Sequence, residues 1–200
     1  PGMVPMNAMT RAAAKQEISY FRADGGTAMG NWLNLAKALF DSIGGLAQKH
    51  AILLTDGENH NETVQQLDIA IRNSIGQFQV DCRGVGVDWK VPEIRKIAQA
   101  LLGSVDIIPN PSQLGQAFAE LMQKSMGRGV AQADLRVWIP QGAQVLFVRQ
   151  VSPTVEDLTQ RGVPINPLTQ AYPTGSWGDE ERDYHLQVRL PAKSVGQEQL

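Results

Sequence analysis

Ala51-Ile52-Leu53-Leu54-Thr55-Asp56-Gly57-Glu58-Asn59-His60 is the stretch that decides the fold. A short apolar run stops at a single carboxylate, and polar residues and a glycine replace it at once. Such a run reads as a buried central strand of a parallel sheet, and ligands gather beyond the carboxyl ends of such strands. Asp56 therefore belongs at a sheet edge, where a carboxylate needs water, a cap or a cation. Upstream, Asp24-Gly25-Gly26-Thr27-Ala28 opens a helix that can reach the same edge.

Outward from this stretch, helices and strands alternate. Thr10 is an N-cap candidate for a helix from Arg11 to about Arg22, with Ala14, Ile18 and Phe21 at helical spacing. Thr27 can cap a second helix whose stripe is Trp32, Ala36, Leu39, Phe40 and Ile43, before Gly44-Gly45. After the strand Ala51 to Thr55, Asn61 is an N-cap candidate with Glu62 in the first turn, followed by Val64, Leu67 or Asp68, Ile71 and Ile75. Gln77 to Val87 alternates as a second strand, with Cys82 as a small buried residue. Pro92 suits the first turn of a helix burying Ile94, Ile97, Ala98, Leu101 and Leu102. Val105 to Ile108 is a third strand, and a last helix carries Leu114, Phe118, Leu121 and Met122. This order predicts an α/β domain, a Rossmann-like, mostly parallel sheet with helices on both faces.

The composition changes near Gly127-Arg128-Gly129. Beyond it Leu135, Val137 and Ile139, then Val145, Phe147 and Val151, then Leu186, Val188 and Leu190 alternate with polar residues. Residues 1–128 are thus expected to form the α/β part and 129–200 a small all-β, sandwich-like module. Residues 152–182, with prolines at 153, 164, 167 and 173, read mainly as connections with room for a short strand. Trp32 and Trp138 are expected in the core, Trp89 near the top edge, and Asp179 to Asp183 as a solvated turn.

Composition excludes little but does exclude something. Eighteen basic against 20 acidic residues, with no long basic run, give no electrostatic reason to expect nucleic acid or an anionic membrane. The single Cys82 cannot form an internal disulfide. No apolar run approaches the length that spans a bilayer. The chain starts Pro1-Gly2-Met3 and reads as a piece of a longer one.

Three elements now carry a resemblance. Asp24-Gly-Gly-Thr-Ala-Met-Gly-Asn-Trp-Leu33, then Ala51 to Glu58, then Val85-Gly-Val-Asp88 resemble the latter part of a von Willebrand factor A domain, over about residues 10 to 125. The segment after Gly129, with Leu135-Arg-Val-Trp-Ile-Pro140 and Trp177 to Leu186, looks like the β module that follows such a domain in some bacterial proteins. The resemblance implies a metal-ion-dependent adhesion site built by three loops: an Asp-x-Ser-x-Ser motif, a threonine at a glycine-rich helix start, and an aspartate after a buried strand. Thr27 matches the second loop and Asp56 the third. No Asp-x-Ser-x-Ser occurs in the 200 residues, so the shell is incomplete.

The implied function is divalent-cation-assisted protein binding or scaffolding without catalysis. Mg²⁺, or Mn²⁺ or Ca²⁺, is the implied cofactor, weak or absent in this chain because one hydroxyl and one carboxylate rarely suffice. A protein partner completes the metal shell with its own carboxylate, and neither nucleic acid nor membrane is implied. The implied address is cytoplasmic. Thr27 as a plain helix cap stands beside Thr27 as a ligand, whereas for Asp56 the ligand reading is favoured. Asp24 and Glu58 read as local acceptor and solvated loop residue.

Two alternatives remain from the residues. One is a phosphate- or nucleotide-binding α/β enzyme domain in which Gly25-Gly26-Thr27 offers helix amides to an anion; the other is a structural scaffold with a degenerate metal site. His50, His60 and His185 lie in different elements and lack zinc-motif spacing. An unpaired edge beside Ala51 to Thr55 is expected to make the chain oligomeric, aggregation-prone, or completed by residues outside it.

Overall fold

The computed structural model describes residues 2–22, 24–46, 48–86, 90–192, 194 and 196. The chain divides into two compact units, Pro1–Leu114 and Gly115–Leu200. Among the described residues no helix is long and apolar enough to cross a membrane.

The first unit contains α1 (Ala8–Ile18), α2 (Met29–Asp41), β1 (His50–Thr55), α3 (Val64–Ser74), β2 (Gln79–Val85), α4 (Val91–Ala100) and β3 (Val105–Ile108). The three strands form one parallel sheet in the order β1-β2-β3, with Leu53 opposite Cys82 and Cys82 opposite Val105. A parallel sheet needs crossover connections, and α3 and α4 supply them. Central β2 buries Val80, Asp81 and Cys82 in succession, as a strand covered on both faces must. The α/β expectation is what this unit forms. Val87, Asp88 and Trp89 lie outside the described residues, so neither the end of the expected second strand nor the place of Trp89 is assessed.

The core joins Met29, Leu33 and Phe40 of α2, Leu67, Ala70 and Ile71 of α3, and Ile94, Ile97 and Ala98 of α4 to Leu53, Val80 and Cys82. The rings of Phe40 and Phe78 stand 5.3 Å apart in a tilted pair. The buried stripe of α2 is therefore rotated from the expected one: Leu33 is inside, and Trp32 is 38% exposed. On α3 the expected Val64 and Ile75 are exposed, while Ala70 and Ser74 take their places. Small residues let helices approach closely, and a hydropathy stripe undervalues them.

Two caps also differ from expectation. Asn7, not Thr10, caps α1; Asn7 Oδ1 accepts from Thr10 N at 3.0 Å while Thr10 Oγ1 accepts from Asn7 N at 2.9 Å, a reciprocal capping box. The helix ends at Ile18 and buries no residue, leaving Ile18 and Phe21 exposed. Thr63, not Asn61, caps α3, with Gln66 returning to Thr63 N at 2.8 Å. Past α4, Leu102 adopts φ 57° and Gly103 N donates to Ala98 O at 2.8 Å, closing the helix end. Gly103 is required there, because a methyl group on it would lie 1.7 Å from Val80 O.

A 3-10 turn at Pro111–Gln113 ends the first unit, and α5 (Leu114–Met126), which begins at that unit's last residue and opens the second unit, buries Leu121. Among the described residues six strands follow: β4 (Val130–Trp138), β5 (Gln144–Ser152), β6 (Glu156–Asp157), β7 (Val163–Asn166), β8 (Thr169–Trp177) and β9 (Asp183–Arg189). They make two antiparallel sheets, β4-β8-β7 and β6-β5-β9, around Val137, Val148, Leu158 and Tyr172. The all-β expectation is met, but the reading of residues 152–182 as connections is corrected. The nine-residue β8 is central to its sheet and Tyr172 on it is 1% exposed. Its prolines obscured it. Pro173 sits next to a register shift opposite Asp134, and Pro164 lies on edge strand β7, both places that dispense with an amide donor.

Trp138 is 56% exposed, a second correction to the expected core. The expected solvated turn at 179–183 is also corrected, because Arg182 folds inward. It donates to Thr174 O at 2.5 Å and Ser176 O at 2.7 Å, pairs with Glu180, and stacks 4.4 Å from the Trp177 ring.

Candidate functional site

The site stands at the carboxyl end of β1. Thr55, buried at that end, closes the turn: its Oγ1 donates to Gly57 O at 2.9 Å and accepts from Gly57 N at 3.3 Å. This turn throws Asp56 outward, where it is exposed. Among the described residues Asp56 has no hydrogen-bond or ion-pair partner.

Thr27 reaches the same turn from the chain entering α2. A methyl group built on Gly57 would stand 3.7 Å from Thr27 Oγ1, in ordinary contact. The two loops expected to share a site are therefore neighbours. Thr27 is not the cap of α2, however. The N-cap position is Ala28, and no side chain of its own caps the helix. The amides are satisfied from the loop after β1 instead: Met29 N donates to Asn59 Oδ1 at 3.1 Å and Gly30 N to Glu62 Oε1 at 2.7 Å. The plain structural role of Thr27 is thus filled by other residues. Among the described residues its hydroxyl has no hydrogen-bond partner.

The same bonds occupy two of the amides at the helix start on which the phosphate reading draws. An anion would need the free amides at the start of α2. A carboxylate from this chain, Glu62, already holds one of them, and Asn59 holds its neighbour. Glu62, expected in the first turn of α3, precedes the Thr63 cap and serves α2 instead.

Several further residues tie the two loops together. Asn59 Nδ2 donates to Glu62 Oε1 at 2.7 Å, Asn61 N donates to Thr27 O at 3.0 Å, and Asn59 N donates to Glu93 Oε2 of α4 at 3.3 Å. The roles of the last two were invisible in sequence because each joins residues 34 apart, and no local spacing rule links such pairs. Glu58, expected to be merely solvated, pairs with Lys90 Nζ at 2.6 Å. That hydrogen bond and charge hold the Lys90 ammonium above its usual range, so the lysine stays charged. Asp24 remains exposed.

Chemically the edge offers hard oxygen donors, one hydroxyl and one carboxylate, of the type Mg²⁺, Mn²⁺ and Ca²⁺ take. Among the described residues no group of three or more His, Cys, Asp or Glu stands ready to hold a metal. The donor set suits a hard cation in kind and is short in number. The inward thiol of Cys82 is no competitor, since burial, then the Asp81 charge, push it up to about 12.

A parallel sheet with crossover helices, carrying a threonine loop and an aspartate loop at one edge, is the class of fold seen in the first unit. Comparison with known proteins places it. The chain is 49% identical to the von Willebrand factor type A protein from Catenulispora acidiphila and matches its structure with a TM-score of 0.93, over 98% of this chain and 46% of that one. It is 32% identical over 157 residues to the uncharacterized protein sll0103 of Synechocystis sp., covering 74% of this chain and 36% of that protein. No family model matches. The first unit has the von Willebrand factor A fold, and the structural match takes in the β unit as well. The chain spans less than half the length of both relatives.

Proposed function

We propose that this chain contributes to a non-catalytic, divalent-cation-assisted protein-binding module, with Thr27 and Asp56 as metal ligands. The observation that carries this reading is the pairing of two uncommitted oxygen donors at one strand edge. Thr27 Oγ1 lies against the Gly57 turn, and Asp56 is exposed at its start. Structural duties nearby are already discharged by Asn59, Glu62 and Thr55. Thr27 and Asp56 would supply two oxygen donors to a hard cation, and the remaining positions would fall to water, to other loops and to a carboxylate of the partner. Bound there, the cation supplies charge for a partner carboxylate; Thr27 and Asp56 orient it.

Calorimetric titration of Mg²⁺ into the natural full-length protein tests the reading. Saturable binding that disappears in Asp56→Asn and weakens in Thr27→Ala is expected. Binding unchanged by both substitutions, or none in the wild type, sinks it and leaves a scaffold with a degenerate site.

A further inference from the structure

We propose that Glu62 is a positioning residue that sets the separation of the two ligand loops. This rests on the cation reading above and adds a residue that touches no metal. One carboxylate oxygen, Glu62 Oε1, accepts from Gly30 N at the start of α2 and from Asn59 Nδ2 in the loop after β1, both at 2.7 Å. Asn59 in turn receives Met29 N. Thr27 is two residues before Met29, and Asp56 is three before Asn59. The carboxylate therefore bridges the backbone that carries one ligand to the loop that carries the other.

The bridge also depends on Gly30. A methyl group on that residue would come 2.5 Å from Glu62 Oε2 and 3.2 Å from Ala70 Cβ, so the helix start accepts the carboxylate only without a side chain. The third link, Asn61 N to Thr27 O, runs parallel to it. Supporting hydrogen bonds of this kind hold metal ligands in the orientation the ion needs, and their loss typically weakens metal binding by roughly 10- to 100-fold. Glu62 acts through its acceptor oxygen, so glutamine, which keeps a carbonyl oxygen at that place, preserves the function.

The test uses Mn²⁺ alone, with free ion followed by electron paramagnetic resonance, on the natural full-length protein. Four chains are compared: wild type, Asp56→Ala, Glu62→Ala and Glu62→Gln. Wild-type binding lost in Asp56→Ala secures the cation reading. Against that background Glu62→Ala is expected to bind roughly 10- to 100-fold more weakly, and Glu62→Gln to match wild type. Should Glu62→Ala lose the wild-type circular dichroism spectrum, Asn59→Ala takes its place with the same expectation. Wild-type affinity in the alanine variant overturns the positioning role while leaving the cation reading intact. Equal loss in the glutamine variant also overturns it, because charge rather than placement would then be the cause. No Mn²⁺ binding by the wild type removes both.

Discussion

The two ends of the parallel sheet treat their carboxylates in opposite ways. At the amino end Asp81 is fully buried, and both of its oxygens are committed: Oδ1 accepts from Ser104 N at 2.6 Å and Ser104 Oγ at 2.8 Å, and Oδ2 meets His50 Nε2 at 2.8 Å. Arg83 adds bonds to Ser104 Oγ and Ser104 O. At the carboxyl end Asp56 is exposed and, among the described residues, uncommitted. Sheet geometry is the same at both ends, so it does not make one of them a site. What differs is whether the surrounding groups leave oxygen donors unspent. A saturated carboxylate joins strands; an unsaturated one is available to a ligand.

The contrast breaks most easily at Asp81. Asp81→Ala removes a buried acceptor used by Ser104 N, Ser104 Oγ and His50 Nε2, and because a buried donor left unsatisfied costs about 1–3 kcal/mol, a summed loss of about 3–5 kcal/mol is expected in urea unfolding of the natural full-length protein. A loss below about 1 kcal/mol would mean that water replaces the network freely. Next in size is a pair of glycine substitutions. Gly103→Ala meets the Val80 carbonyl and Asp81 N, backbone atoms with nowhere to go, and is expected to cost about 1–3 kcal/mol. Gly57→Ala at the open end meets only Thr27 Oγ1 at 3.7 Å, and a change within about 0.5 kcal/mol is expected. Similar costs at the two positions would erase the distinction between a packed and an open end.

An intermediate case in the β unit sharpens it further. Glu156 is mostly buried, with Arg161 Nη1 3.9 Å away, and desolvation raises its carboxyl above the ordinary 4.5 despite the Arg161 and Arg182 charges. A raised folded value means that the native state holds its proton more tightly than the unfolded chain does. Its contribution to stability is therefore full below about pH 4.5 and lost as pH rises through the folded value. Asp157, lowered chiefly by its Thr159 hydrogen bonds, works in the opposite sense, losing its contribution as pH falls below 3.8 and through its folded value. Thermal unfolding followed from pH 4 upward should contain a declining component that Glu156→Gln abolishes; an unaltered profile would count against it. The smallest effect belongs to Asp56→Asn. Stability should stay within about 0.5 kcal/mol of wild type, measured in the same urea series, whereas a substantial loss would place Asp56 among the structural carboxylates.

The edge of the sheet gives the contrast a second dimension. Among the described residues β1 pairs with β2 alone, and a cavity of about 240 Å³ beside it is lined by Trp32, Leu33, Ala36, Ala51, Ile52, Leu53, Leu54 and Val80. The exposed Trp32 that failed the core expectation lies along this edge. Such an unpaired strand with apolar flanks is the kind of edge that can template further pairing.

The apolar runs at 51–55 and 105–108 and the alternating helices made the parallel sheet legible from local pattern, while the strand order within it came from the fold. The terminal aspartate at 56 and the glycine-threonine start at 25–27 marked the candidate site, because a carboxylate after a buried strand and a polar helix start are local events. Tertiary structure decided who caps whom. Asn59 and Glu62 close the start of α2 across some thirty residues, and this frees Thr27 from a duty its own position suggested. It also decided which face of α2 is inward, since Leu33 and Trp32 are adjacent apolar residues and only the packing of α3 and the sheet chooses between them. In the β unit, prolines at an edge and beside a register shift concealed β7 and β8, because a proline is excluded only where its missing amide is needed, and pairing partners determine that. Sequence located the oxygen donors at the sheet edge; the folded neighbourhood determined which of them remained unspent.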